Sequence, residues 1–125
     1  MITDVDKSIN LLEKMLDVSA IKHKVIANNI ANINTPGYKK MEISFSDQLD
    51  KAIKDTAMNK FDTIQPKIII AENDKNETVR NDGNNVDMDK EISALMKNTS
   101  AYNIYSQLLA KKMELVKSAI ENSRV

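Results

Sequence analysis

Two stretches of the chain carry apolar residues at alternating steps of four and three. From Val5 the step lands on Ile9, Leu12, Leu16, Ser19, His23, Ile26, Ile30 and Ile33, so seven of nine positions are apolar. From Met88 it lands on Ile92, Leu95, Thr99, Tyr102, Ser106, Leu109, Met113, Val116 and Ile120, eight of ten apolar. A heptad spacing keeps one stripe turned toward a partner helix, so both stretches are predicted to be long helices with a coiled-coil-like seam. Thr3 with Asp6 resembles a capping box and starts the first helix near Asp4. Asp87 is a candidate N-cap for the second, with Asp89 and Glu91 placing negative charge on its first turn, and the pattern runs to about Glu121. At the helical rise per residue each would be roughly 45 to 50 Å long.

The end of the first helix is marked by residues of a different kind. Asn28, Asn29, Asn32 and Asn34 crowd its last turns, although asparagine competes for nearby backbone groups and is a mediocre helix former. Thr35 precedes a proline, which pushes it out of the helical region, and Pro36-Gly37 suits the two central positions of a type II turn before Tyr38. Asn34 reads as a residue of the helix C-cap. Asn28, Asn29 and Asn32 lie too far inside the helix to be caps and read as contacts to another subunit, where an unpaired amide costs about 1 to 3 kcal/mol and therefore selects a register.

Residues 36–85 change character. The run "SFSDQLDKAIKDTAM" is predicted to contain a short amphipathic helix, and the β-branched run "QPKIIIAE" a strand, with "ETVR" as its hairpin partner. Asn73 to Asn76 and Asn81 to Asn84 read as turns, and the only two glycines, Gly37 and Gly83, sit at the two helix boundaries. The organisation expected is therefore mainly α: an N-terminal helical segment 1–35, a middle segment 36–85 and a C-terminal helical segment 86–125. The two helices pack as an antiparallel pair, and all three segments form one domain.

Each helix also has a second apolar line beside the first. Leu11, Met15, Val18 and Val25 form one, and Ala101, Tyr105, Leu108, Leu115 and Ala119 the other. A two-helix hairpin cannot cover stripes this wide, so further helices must. A closed dimer or tetramer with four-helix packing would do this, as would a polymer in which each helix touches several neighbours.

Composition narrows the classes of function. Eighteen basic against eighteen acidic residues leave no net charge to draw the whole chain to nucleic acid or an anionic membrane. Lys22-His23-Lys24 and Lys111-Lys112 are short clusters among acids, without aromatic interleaving, and read as solvated faces. With no cysteine there is no thiol nucleophile or thiolate metal site. His23 is the single histidine, with no carboxylate or serine spaced to orient it, so no catalytic site, cofactor or metal is expected. Asp74, Glu77 and Asp82 lack the ligand order of a calcium loop. No stretch approaches the roughly 20 apolar residues of a membrane span, and Asp4 and Asp6 stand where a secretory signal would be basic.

The run "ANNIANINTPGYKK" from Ala27 to Lys40 closely resembles the N-terminal motif of the axial proteins of the bacterial flagellar rod and hook. Together with "GNNVDMDKEISAL" from Gly83 to Leu95, the C-terminal "QLLAKKMELVKSAI" and the short chain, the resemblance is to the proximal-rod members of that family. It covers both ends and matches no motif in the middle. Ile33 departs from the small residue usual at its position. The resemblance implies a non-enzymatic building block that stacks helically into the rod crossing the periplasm, exported through the flagellar type III apparatus without a cleaved signal. Its partners would be copies of itself, other rod proteins and the adaptor joining the rod to the MS ring. On this reading the assembly interface comprises Asn28, Asn29, Asn32, Leu12, Leu16, Ile26, Ile30, Leu95, Tyr102, Leu109, Met113 and Val116. The turn motif comprises Thr35, Pro36, Gly37, Tyr38, Gly83, Asn84, Asn85 and Asp87. A generic coiled-coil adaptor forming a closed dimer or tetramer is the alternative.

Overall fold

The structure is a computed structural model that describes residues 2–55, 60–71 and 80–124. Its elements are α1 (Ile2–Ala31), β1 (Met41–Ser44), α2 (Ser46–Lys54), a 3-10 turn (Lys60–Thr63), β2 (Lys67–Ile70) and α3 (Met88–Asn122). With 30 and 35 residues, α1 and α3 are about 45 and 52 Å long. They run antiparallel: Asn29 meets Glu91, Ser19 meets Asn98, and Val5 shares a groove with Val116.

The start of α3 follows the expectation. The Asp87 side chain accepts hydrogen bonds from the N–H groups of Asp89, at 3.0 Å, and Lys90, at 3.3 Å, satisfying two of the donors that a helix start leaves open. The start of α1 does not, because the helix is already formed at Ile2 and a capping box at Thr3 has no terminus to serve.

The middle segment contains the short helix and the strand. β2 pairs antiparallel with β1, Met41 standing opposite Ile70 and Ser44 opposite Lys67. The pairing with "ETVR" falls on residues that, apart from Arg80, lie outside the described set. β1 is not among the elements expected from the sequence, although it alternates: Met41 and Ile43 are half-buried against α1, whereas Glu42 and Ser44 are exposed. Gln48 of α2 ties the segment together by pairing with both backbone groups of Gln65, at 2.9 Å from its N–H and 3.0 Å from its carbonyl.

The core is small. Val18, Val25 and Ile26 of α1 join Ala52, Ile64, Ala71 and Val86, and nearly as many polar residues are buried among the described ones: Ser19, Asn29, Asn84, Asn85, Glu91 and Asn98. Burying these polar groups is tolerable because every buried side-chain nitrogen or oxygen among the described residues has a hydrogen-bond partner.

The helix seam differs in part from the one expected. On α3 the less exposed line runs through Glu91, Ala94, Leu95, Asn98, Ala101, Tyr105, Ser106, Leu109, Lys112 and Val116, which keeps Leu95, Ser106, Leu109 and Val116 of the anticipated seam, whereas Met88, Ile92, Tyr102, Met113 and Ile120 are more than one-third exposed. His23, placed in the α1 seam by the heptad, is exposed as well. Polar contacts lie in the seam: Asn98 donates to the Ser19 carbonyl at 2.8 Å and the Glu91 carboxylate accepts from Asn29, and these directional bonds hold α3 in this alignment.

Candidate functional site

Where α1 ends, the chain builds a cluster of side-chain amides that clasps four segments together. Two successive turns reverse the backbone: Thr35 N donates to the Asn32 carbonyl at 3.0 Å and Tyr38 N to the Thr35 carbonyl at 3.2 Å. Gly37, with φ of 72°, takes the left-handed position of the expected type II turn. The chain then runs back along α1 and brings Met41 alongside Asn29.

Asn29 sits at the centre, 1% exposed. Its Oδ1 accepts from Met41 N and from the Tyr38 hydroxyl, each at 2.9 Å, and its Nδ2 donates to the Met41 carbonyl at 2.9 Å and to Glu91 Oε2 at 3.2 Å. The amide thus meets both backbone groups of Met41 as a neighbouring strand would, and the full hydrogen-bonding capacity of the side chain is used. Glu91 is 2% exposed, and its charge is met by Lys40 Nζ at 3.6 Å as well as by Asn29. Tyr38 is partly withdrawn from water, which raises its phenol above the ordinary value. The hydrogen bond from Asn28 opposes this and the nearby Glu91 carboxylate adds to it.

A second amide closes the helix end. Asn84 is fully buried, and its Nδ2 lies within hydrogen-bond distance of three carbonyls, those of Asn32 at 2.9 Å, Ile33 at 3.0 Å and Thr35 at 2.9 Å. These carbonyls belong to the turns that follow Ala31, so the chain leaving α1 is held from 49 or more positions away. The Arg80 guanidinium also donates to the Ile33 carbonyl.

The loop carrying Asn84 is itself held in shape. Its own Oδ1 accepts from Val86 N at 2.9 Å, Asn85 Oδ1 accepts from Lys40 N at 2.7 Å, and Gly37 N donates to the Asp82 carbonyl at 2.8 Å. Gly83, at φ of 83°, packs against Gly37: a Cβ on Gly83 would lie 3.6 Å from the Gly37 Cα. The two glycines thus form the contact at which the two turns meet.

This geometry corrects one assignment. Asn29 was expected to face another subunit, but its amide is consumed inside its own chain and no surface of it is left to offer. Asn28 and Asn32 are different: Asn28 donates to the Tyr38 hydroxyl at 3.0 Å, Asn32 donates to the Asn28 carbonyl at 2.8 Å, and these bonds lie at the surface. Of the apolar interface residues, Ile26 is buried within the chain, and Leu12, Leu16, Ile30, Leu95, Leu109 and Val116 are half-buried between the helices. Tyr102 and Met113 remain open.

Along its length, α3 presents two exposed apolar flanks. Met88, Ile92, Tyr102, Met113 and Ile120 lie on one side of its buried line, and Ile104, Leu108 and Leu115 on the other, each roughly a quarter-turn away at about 100° per residue. Leu115 is 62% exposed and Ile120 55%. Between the helix ends a shallow apolar groove is lined by Val5, Leu115, Val116, Ala119 and Ile120. Among the described residues there is no group of histidine, cysteine or acidic side chains placed to hold a metal ion, and no helix is long and apolar enough to cross a membrane.

A family model described as flagella basal body rod protein matches residues 19–39, the last turns of α1 and the turn that begins the clasp. The flagellar basal body rod protein FlgB of Borreliella burgdorferi is 31% identical over 86% of this chain and 90% of its own length. That of Bacillus subtilis is 31% identical over 94% of this chain and 95% of its own. That of Aquifex aeolicus is 31% identical over 82% and 83%. The chain belongs to the FlgB family of flagellar basal body rod proteins.

Proposed function

We propose that this chain is a non-enzymatic subunit that polymerises helically into the proximal rod of the flagellar basal body, and that the two open flanks of α3 are the surfaces on which neighbouring subunits pack. The exposed apolar flanks carry this reading. A helix that already has a partner along one line, yet keeps large apolar side chains open on both sides of it, is suited to being surrounded by several helices. A closed dimer needs one such surface. Two that diverge by about half a turn suit a continuing assembly.

On this reading Tyr102, Met113 and the other flank residues supply affinity, and Asn28, exposed near the clasp, with the half-buried Asn32 beside it, fixes which neighbour is met and at what axial offset. The three segments act as one structural unit, the clasp holding the middle segment at a set angle to the helix pair. Its partners in the rod are copies of itself, other rod proteins and the adaptor to the MS ring. The rod it builds crosses the periplasm, and the chain reaches it through the flagellar type III export apparatus. Family membership and the flanking stripes support these assignments.

The test is a triple substitution of one flank, Ile104→Gln, Leu108→Gln and Leu115→Gln, expressed in a strain lacking the native gene. Glutamine keeps helix propensity while removing the apolar surface. The expected result is a chain with unchanged helicity, no rods in isolated basal bodies and no swimming. Normal swimming would overturn the assignment of that flank.

A further inference from the structure

We infer that Asp82 is a site of spontaneous isoaspartate formation in the open chain, and that the closed clasp protects it. Asp82-Gly83 is the one place where an aspartate or asparagine precedes a glycine, the other glycine following Pro36. Glycine has no side chain to hinder its own nitrogen from reaching the carboxyl carbon of the residue before it.

The reaction needs only water. The Gly83 nitrogen bonds to Cγ of the protonated Asp82 carboxyl, and the amide proton leaves with the carboxyl hydroxyl as water, giving a five-membered succinimide. Water then adds at one of the two ring carbonyls and breaks its bond to nitrogen. Opening at the side-chain carbonyl restores aspartate. Opening at the main-chain carbonyl leaves the backbone running through Cβ and Cγ, one methylene longer, with the former main-chain carbonyl released as a carboxylate. No atom changes oxidation state.

In the clasp both reacting groups are engaged elsewhere. Gly83 N donates to the Arg80 carbonyl at 2.9 Å, Asp82 Oδ1 accepts from Asn84 N at 3.1 Å, and Asp82 Oδ2 stands 3.5 Å from the Arg80 guanidinium. Ring closure would have to break the first bond, and the other two hold the carboxylate in place. Once the chain has isomerised, the reverse problem arises. The Asp82 carbonyl that accepts from Gly37 N at 2.8 Å becomes part of a free carboxylate, and the added methylene displaces Asn84 from the three carbonyls it caps. A chain modified while open therefore cannot close the clasp, so the damage is retained in the open state and excluded from the folded one.

The experiment incubates the full chain in native buffer and in guanidinium chloride, at matched pH and physiological temperature. Isoaspartate is read by peptide mapping and by methyl transfer from a protein isoaspartyl methyltransferase. The expected result is accumulation at Asp82 about tenfold or more faster in denaturant, because reaction in native buffer is limited to the locally opened fraction. The modified chain, purified and returned to native buffer, should melt at lower temperature and lose hydrogen-exchange protection at Gly37 N. Asp82→Glu, which would need a six-membered ring, should abolish the signal in denaturant, a measurement that does not depend on its folding. Equal rates in the two conditions, a signal that survives Asp82→Glu, or a modified chain with unchanged melting would each overturn the inference.

Discussion

The two ends of the helix pair are held by different physics. At the end that contains the clasp, Asn29, Asn84, Asn85 and Glu91 are buried and fully partnered, and the contacts are directional. At the opposite end, where the first turns of α1 meet the last of α3, no described residue from Asp4 to Asp17 or from Thr99 to Arg124 is fully buried, and the contacts are apolar and shallow. Hydrogen-bond networks specify one geometry and are expensive to leave half made; apolar stripes tolerate many partners. The subunit thus fixes its shape at one end and leaves its affinity available at the other.

Breaking the clasp should therefore cost far more stability than altering the open end. The largest effect is expected from Asn29→Leu, which strands both backbone groups of Met41 and removes a donor from buried Glu91. A loss of about 3 kcal/mol or more, read by denaturant melts followed by circular dichroism, fits two stranded backbone groups and a weakened buried charge pair. A loss under about 1 kcal/mol would mean that water replaces the amide and that the clasp is not what sets the turn.

Asn84→Ala comes next, at about 2 kcal/mol, since it leaves the carbonyls after α1 without their buried donor and unties the loop from the turn. Hydrogen exchange should show the opening concentrated at residues 32–38, and uniform exchange along α1 would contradict this tie. Asn98→Leu should cost about 1 kcal/mol or less. Its sharper readout is register: without the Ser19 contact, α3 should be free to roll toward its apolar heptad, and cysteine cross-linking across the helices should report a second alignment.

The phenol of Tyr38 gives a smaller, pH-dependent effect. Its value is raised in the folded chain, chiefly by burial, so folding favours the protonated form. The stabilisation is complete below the ordinary phenol value near 10 and is lost as pH rises through the folded value. Alkaline melts should steepen above pH about 10, and Tyr38→Phe should remove that part of the slope. At the open end, Met113→Gln with Ile120→Gln should change stability by no more than about 0.5 kcal/mol. A large loss there would show that the open end is part of the monomer's own core.

Legibility in the sequence followed the same division. Both helices, the short α2, the β2 strand, the Asp87 cap and the Pro36-Gly37 turn could be read because each depends on a local rule: periodicity, a cap oxygen or a permitted φ. The asparagines stood out, but their destination did not. Nothing local to Asn84 says that its amide will reach Thr35, and nothing local to Asn29 says that Met41 will return beside it. Strand β1 escaped notice because four residues of alternation are too short to separate from a loop.

The apolar stripes of α1 and α3, and the fact that they exceed what one pairing can hide, were fixed by the order of residues alone, since the 3.6-residue period converts spacing into faces wherever a helix forms. Which line of α3 turns inward was decided only in three dimensions. Periodicity ranks faces by apolar content, whereas in the packed chain Glu91 and Asn98 meet partners on α1, and directional bonds between buried groups fix an alignment that apolar content alone leaves open.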